Sequence, residues 1–149
     1  MLFRSTSGAA SGVWNNTAPT ATQFTIGTDS DVNSGTAGDT TAFWLFASCP
    51  GVSKVGSYTG TGATQTINCG FAGGARFVLI KRTDASANWF VWDTARGMVS
   101  GTDPRLPWDA NTVEANADWV YTTSVGFQIV TSDATVNASG GSYIYLAIA

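Results

Sequence analysis

The alternation of apolar and polar side chains along the chain predicts short β-strands rather than long helices. Alternation with a period of two, or a short apolar run bounded by glycine, proline or asparagine, is typical of strands. The segments with this pattern are residues 23–27, 41–48, 55–59, 65–69, 76–82, 88–93, 119–123, 126–131 and 143–148. The run at 41–48 is apolar enough to predict a strand buried on both faces.

The clearest local prediction is a hairpin formed by two neighbouring segments. Residues 76–82 read Arg-Phe-Val-Leu-Ile-Lys-Arg and residues 88–93 read Asn-Trp-Phe-Val-Trp-Asp. Because the polar link at 83–87 has the length of a hairpin loop, we expect the two strands to pair antiparallel. Residues 95–112 then form a long connection rich in glycine and proline, and connections of this length often carry binding residues.

The last predicted strand is two-sided. Side chains alternate across a strand, so Ile144, Leu146 and Ile148 share one face while Tyr143 and Tyr145 share the other.

The chain contains an internal repeat, in which residues 24–48 are echoed by residues 127–149. Phe-Thr-Ile-Gly-Thr from Phe24 corresponds to Phe-Gln-Ile-Val-Thr from Phe127, and each is followed by Val-Asn, a glycine-rich link and an apolar run. The two copies differ by about one residue before the shared asparagine. Either two related strand pairs lie symmetrically in one sandwich, or the first pair is the end of a preceding domain.

Composition supports an all-β protein. The 149 residues include nine aspartates but one glutamate, and threonine, serine, valine and aromatic residues are plentiful, a balance that favours strands over helices. The length fits one domain. We therefore predict an antiparallel β-sandwich at residues 23–149, preceded by an extended arm at residues 1–22, where no periodicity is visible.

Composition also excludes several classes of function. The chain has no histidine, which excludes histidine-based triads and histidine-ligated metals. Seven scattered basic residues and a pI near 4.5 argue against nucleic-acid binding, and the short apolar runs argue against membrane insertion.

The two cysteines, Cys49 and Cys69, match no metal-site spacing, so we expect buried free thiols, with a disulfide as the alternative. No metal or cofactor is expected.

An ordered set of motifs resembles a domain common in bacteriophage tail-fibre and related virion proteins. The motifs are Gly-Ser-Tyr-Thr-Gly-Thr-Gly at 56–62, Gly-Phe at 70–71, Val-Leu-Ile-Lys-Arg at 78–82, Asn-Trp at 88–89, Asp-Thr-Ala-Arg-Gly at 93–97, Gly-Phe at 126–127, Asn137 and Gly-Ser-Tyr at 141–143. The family usually has a proline soon after the first Gly-Phe, where this chain has Ala-Gly-Gly at 72–74.

This resemblance implies a small lectin-like or jelly-roll β-sandwich in a phage structural protein. Such a protein is assembled in the host cytoplasm, displayed on the virion surface and often oligomeric, with a homotrimer favoured. Its partners would be other virion proteins and a host surface glycan or protein receptor.

The candidate ligand-binding residues lie around the central hairpin and the strands that follow it. Exposed indole rings stack on sugars or partner proteins, whereas buried ones fill a core or a subunit interface. The alternative interpretation of the Asp-Thr-Ala-Arg-Gly segment is a turn fixed by a charged hydrogen bond, with Gly97 supplying the unusual backbone conformation. The candidates are Trp89, Trp92, Asp93, Arg96, Trp108, Trp119 and Tyr121.

Two polar segments within the repeat have a simpler structural interpretation. Residues 29–33 resemble the start of a calcium loop, but Thr40 stands where such a loop needs its glutamate. We therefore predict an Asx-type turn there, and expect the amides of Asn33 and Asn137 to shape their turns through local hydrogen bonds.

Three functions fit these observations. The first is a non-enzymatic tail-fibre or appendage domain that presents loops to a host receptor. The second is a capsid decoration or adaptor protein that binds other virion subunits, and the third is a free carbohydrate-binding module. An enzymatic form of the third would need two carboxylates facing each other across a cleft.

Overall fold

The computed structural model of the chain describes residues 11–17, 20, 22–36 and 38–149. The chain divides into two compact units, Met1–Phe46 and Ala47–Ala149. The predicted boundary after residue 22, between the arm and the sandwich domain, divides the chain at a different place and stays a prediction. Much of the predicted arm, residues 1–22, lies outside the described residues. A single helical turn, α1 (Ser11–Trp14), is found in the part of residues 1–22 that is described.

The second unit is an antiparallel β-sandwich, which confirms the predicted fold class. One sheet has six strands in the order β1-β9-β3-β4-β5-β6, and the other has three in the order β2-β8-β7. The elements are β1 (Ser53–Thr59), β2 (Gln65–Asn68), β3 (Phe77–Arg82), β4 (Trp89–Asp93), β5 (Asp103–Pro107), β6 (Ala115–Ala117), β7 (Val120–Thr123), β8 (Gly126–Ile129), α2 (Ala134–Asn137) and β9 (Ser142–Ile148).

The core lies between the two sheets and is rich in aromatic residues. β9 runs between β1 and β3, and its Tyr145 lies opposite Ile80 of β3. The ring of Tyr145 packs edge-on against Phe127 of β8, with 5.3 Å between ring centroids, so this pair joins the sheets. The tyrosines of β9 belong to the core cluster, while Ile144 and Leu146 are buried on the opposite face. The predicted two-sided pattern of this strand is confirmed.

Glycine is required where the Tyr145 ring crosses β1. A Cβ atom on Gly56 would lie 2.6 Å from the Tyr145 hydroxyl oxygen, a distance that no relaxed side chain tolerates. Gly56, the first residue of the motif at 56–62, therefore makes room for the aromatic core of the sandwich.

The predicted hairpin is confirmed as β3 and β4, with Ile80 opposite Phe90 and Lys81 opposite Trp89. The predicted segments at 55–59, 65–69, 119–123, 126–131 and 143–148 also coincide with strands. Each of these segments has a hydrogen-bonded neighbour in the second unit.

The predicted strands at 23–27 and 41–48 are wrong. Both segments are described, and neither forms a strand. The run at 41–48, predicted to be buried on both faces, is exposed instead, with Trp44 at 78% and Leu45 at 63%. A strand needs a neighbouring strand to pair with, and the described residues of the first unit contain none. Residues 23–27 make isolated backbone bonds instead, such as that from the N–H of Gly27 to the carbonyl oxygen of Val13.

Regular structure also appears where the sequence predicted only loops. The 95–112 connection contains β5, which escaped prediction because it reads Asp-Pro-Arg-Leu-Pro and proline argues against strands. It pairs with β4 and with the short edge strand β6. The helical turn α2, capped by Asp133, lies between β8 and β9.

The two cysteines are free thiols, as expected, but only Cys69 is buried. Cys49 is exposed, which corrects the prediction that both are buried. Cys49 forms an isolated β-bridge with Ser53 at the start of the second unit, outside the core. Within the described residues, no helix reaches the length and hydropathy of a membrane span.

Candidate functional site

The turn that follows β5 presents an exposed tryptophan on a fixed backbone. Trp108 is 59% exposed, yet its backbone N–H donates to the carbonyl oxygen of Trp89 at 2.7 Å. The carboxylate of Asp109 accepts the N–H of Trp89 at 3.0 Å. We call Trp89, Trp108 and Asp109 the tryptophan cluster. Its two backbone-directed bonds hold the turn against β4 while the Trp108 indole faces solvent.

Trp89 is half-buried and already has a cationic neighbour. It lies opposite Lys81 in the hairpin, and the Lys81 ammonium is 5.8 Å from the centre of its ring, within the range of a cation–π interaction. The same ammonium donates to the carbonyl oxygen of Ala87. Trp89 therefore helps to fix the end of the hairpin, and Trp108 supplies the more exposed surface of the cluster.

Trp92 is fully buried in the core of the sandwich. It alternates with Trp89 along β4, so the two indoles lie on opposite faces of the sheet, as the sequence pattern predicts. Trp92 packs against Phe90, with 6.0 Å between ring centroids. Its position matches the core-filling interpretation rather than a surface contact.

Trp119 forms a stacked group with an arginine that the sequence did not single out. The guanidinium carbon of Arg105 lies 3.7 Å from the ring centre of Trp119 and 5.3 Å from that of Phe90. The two rings are themselves edge to face at 5.9 Å. Arg105 extends from the proline-flanked strand β5, so the failure to predict that strand also hid this contact.

Asp103 is a fully buried carboxylate at the start of β5. Its two oxygens accept the backbone N–H groups of Trp119 at 2.7 Å and Val120 at 3.1 Å, which ties β5 to β7. Burial raises its pKa, and these hydrogen bonds partly oppose the shift. The indole N–H of Trp92 acts in the same opposing direction, although it does not reach strict hydrogen-bond geometry.

The Asp93 and Arg96 pair fixes a turn, as the structural interpretation predicted. The Asp93 carboxylate accepts the backbone N–H of Arg96 at 2.9 Å and its Nε–H at 2.5 Å, and Gly97 has a φ of 103°. Burial opposes ionisation of Asp93, but the hydrogen bonds from Arg96 prevail and hold its pKa below the usual value. Glu114, which is distant from this pair in sequence and was not among the predicted site residues, binds the same guanidinium at 2.6 Å.

Tyr121 lies apart from the other candidates. It is in β7 of the three-stranded sheet, opposite Gln128, and Gln128 donates to the hydroxyl of Thr66 at 3.0 Å. The structure therefore joins Trp89 and Trp108 in one cluster at the start of β4 and Asp93 and Arg96 in a turn at its other end, and it places Tyr121 in the other sheet.

The calcium-like segment forms the predicted Asx-type turn. The Asp29 carboxylate accepts the backbone N–H of Asp31 at 2.9 Å. Across the described residues, no group of three or more acids or cysteines is placed to hold a metal ion.

Comparison with known proteins places the chain in a family without assigning an activity to it. A family model described as a domain of unknown function, DUF7483, matches residues 2–149. No curated protein and no solved structure matches the chain. Because the family model spans nearly all of the sequence, the chain belongs to the DUF7483 family.

Proposed function

We propose that this protein is a non-enzymatic structural component of a bacteriophage virion, a tail-fibre or appendage domain that binds a host surface glycan or protein. The observation that carries the binding part of the proposal is the exposed Trp108 indole on a backbone fixed by hydrogen bonds. The phage origin rests on the resemblance of the ordered sequence motifs. Other virion proteins and further copies of the chain, in a trimer, are the expected assembly partners.

The tryptophan cluster has the chemistry of a sugar-binding surface. An indole face stacks on the apolar face of a pyranose ring, and a neighbouring carboxylate accepts hydrogen bonds from its hydroxyls. Trp108 and Asp109 are adjacent and both exposed. Val113, 88% exposed in the same β5–β6 connection, adds apolar surface that would suit either a glycan or a protein.

The binding proposal is tested by comparing the wild type with Trp108→Ala on host cells and on an array of host surface glycans. We expect Trp108→Ala to weaken binding at least about tenfold, which corresponds to about 1.4 kcal/mol. Trp44→Ala is the matched control, because Trp44 is also exposed but lies in the other unit. Equal binding by the wild type and Trp108→Ala would contradict the assignment of the surface.

An adaptor that binds other virion subunits is the second candidate. It is favoured by the exposed apolar side chains of residues 43–46, since a contiguous apolar surface of this kind usually marks a protein contact. In this case Trp44→Ala would weaken binding to virions and Trp108→Ala would not. Sedimentation mass measurements would report separately whether the chain forms the expected trimer.

A further inference from the structure

The first copy of the sequence repeat forms a compact hydrogen-bonded turn. The carbonyl oxygen of Asp29 accepts the backbone N–H groups of Val32 at 3.2 Å and Asn33 at 2.8 Å. The Asp29 carboxylate accepts the N–H of Asp31, and the Asn33 amide donates to the carbonyl oxygen of Gly27 at 2.9 Å.

The second copy forms the same turn, bond for bond, around α2. The carbonyl oxygen of Asp133 accepts the N–H groups of Val136 at 3.2 Å and Asn137 at 2.8 Å. The Asp133 carboxylate accepts the N–H of Thr135, and the Asn137 amide donates to the carbonyl oxygen of Thr131 at 2.7 Å. The two copies of the repeat therefore share the hydrogen bonding of this turn as well as a similar sequence.

An aromatic contact is repeated as well. The repeat matches Phe24 with Phe127 and Phe43 with Tyr145. The rings of Phe24 and Phe43 are 5.1 Å apart, and those of Phe127 and Tyr145 are 5.3 Å apart. In the second copy this contact joins the two sheets, because Phe127 is in β8 and Tyr145 is in β9. The first copy thus has the aromatic pair that bridges a sandwich.

What the first copy lacks is the rest of a sandwich. In the second unit β8 lies between β2 and β7, and β9 lies between β1 and β3, so both are central strands. The described residues of the first unit contain no strand to pair with their counterparts. The counterpart of β9 is exposed at Trp44 and Leu45, which leaves these apolar side chains available to a partner.

The two asparagines show which partner is missing. Asn137 is fully buried. Beyond its local bond it contacts the loop after β1, through the N–H of Thr61 and the carbonyl oxygen of Ala63, and the first residue of β2, through the side chain of Gln65. Asn33 is exposed, and within the described residues its side chain bonds only to Gly27. The missing contacts are those of a β1–β2 loop.

We propose that residues 23–46 are the β8–α2–β9 portion of a second sandwich of this same fold. Its β1–β7 portion is supplied by a further copy of the fold, linked in tandem ahead of this segment. In that sandwich Phe43 enters the core as Tyr145 does, and Asn33 binds the β1–β2 loop of the added copy. The inference is independent of receptor binding, because it concerns how successive domains are joined.

The test extends the full chain by fusing a second copy of residues 47–123 to Met1. Residues 1–22 then serve as the linker. We expect the backbone amides at 23–27 and 41–46 to exchange with deuterium at least about 1,000-fold more slowly in the extended chain than in the unmodified one. Amides in central strands exchange only when the whole domain unfolds.

Two matched substitutions in the extended chain separate specific insertion from unspecific contact. Phe43→Asp should abolish the protection, since it would place a charge in the core of the new sandwich. Thr36→Asp, in the glycine-rich link outside both strand counterparts, should leave the protection intact.

Asn33→Ala tests the predicted contact with the β1–β2 loop. It should speed the exchange of the protected amides at least about tenfold in the extended chain, since breaking buried hydrogen bonds costs on the order of 1–3 kcal/mol. In the unmodified chain it should change little.

A second variant avoids dependence on the fusion. In the full chain, residues 127–149 are replaced by the sequence of residues 24–47, and Gly126 is kept because a Cβ atom there would lie 2.2 Å from the carbonyl oxygen of Ile67. If the segments are equivalent, this chimera retains a cooperatively folded sandwich with slowly exchanging amides in the replaced segment. The proposal is supported if either the extended chain or the chimera shows this protection, and it is overturned if both lack it. Protection of residues 41–46 by self-association of the unmodified chain would also overturn it, because the partner would then be another molecule.

Discussion

The substitution Asn137→Ala removes a buried polar side chain that joins the β1–β2 region to the segment between β8 and β9. The Asn137 amide makes four hydrogen bonds: its oxygen accepts from Thr61 and Gln65 at 2.9 and 2.7 Å, and its nitrogen donates to Ala63 and Thr131 at 2.9 and 2.7 Å. All four are lost in the alanine variant. The loop after β1 then keeps its backbone hydrogen bonds to the segment between β8 and β9, such as that from the N–H of Gly62 to the carbonyl oxygen of residue 137, but loses the side-chain bonds that reinforce them.

The expected loss of stability follows from these four bonds. A net contribution of about 1 kcal/mol per intramolecular hydrogen bond gives about 4 kcal/mol. Thr61 and Ala63 are in exposed positions, so water replaces part of what they lose, and we expect a decrease of about 3 kcal/mol in the free energy of unfolding. For a domain of about 100 residues this lowers the melting temperature by roughly 12–24 °C.

The assay is urea and thermal unfolding followed by circular dichroism. Asn33→Ala is the matched control, because Asn33 occupies the same turn in the first copy but is exposed, and its side chain bonds only to Gly27 among the residues that the structure describes. We expect this substitution to cost less than about 1 kcal/mol. A cost below about 1 kcal/mol for Asn137→Ala, or one no greater than that of Asn33→Ala, would contradict this expectation. Either result would mean that the buried amide does not hold the loop.

Three further predictions concern the core, the turn before β3 and a buried carboxylate. Trp92→Ala should lower the free energy of unfolding by about 3–5 kcal/mol because it empties a core position, whereas Trp108→Ala should stay within about 0.5 kcal/mol; similar losses in urea unfolding would contradict this. Gly74→Ala should lower the free energy of unfolding by at least about 2 kcal/mol, because Gly74 has a φ of 84° and an added Cβ would lie 2.0 Å from a carbonyl oxygen of β7. Gly73→Ala is the control: an added Cβ there meets nothing within 4 Å, so the substitution should be nearly neutral in the same assay. Because burial raises the pKa of Asp103 in the folded protein above its unfolded value of about 3.9, the wild type should gain stability relative to Asp103→Asn as the pH falls from 7 towards 4; a difference independent of pH would refute the assignment.

The candidate site could be predicted in part. The sequence located the hairpin that carries Trp89 and predicted that its two tryptophans lie on opposite faces, because side-chain alternation is a property of the strand itself. It also predicted the turn held by Asp93 and Arg96, whose partners are three residues apart. It did not predict Glu114 as a second partner of Arg96 or Arg105 as the cation stacked on Trp119, because these contacts join separate segments.

The strands themselves show why pattern alone was not enough. The runs at 41–48 and 143–148 have similar apolar patterns, yet only the second is a strand. β9 finds β1 and β3 on either side, and its tyrosines enter a core formed by both sheets. The first run lacks such neighbours among the described residues, and strand formation requires hydrogen bonds between segments that are distant in sequence.

The sequence by itself determined the properties that depend on neighbouring residues: the all-β class, the central hairpin, the alternation of faces in β9, the Asx-type turns and the repeat. Only the tertiary structure decided which copy of the repeat is complete, which tryptophan is buried, and that Asn137 joins three segments. These outcomes depend on which distant segments meet. Burial and hydrogen bonding between such segments are free energies of the assembled sandwich, and no single stretch of sequence contains them.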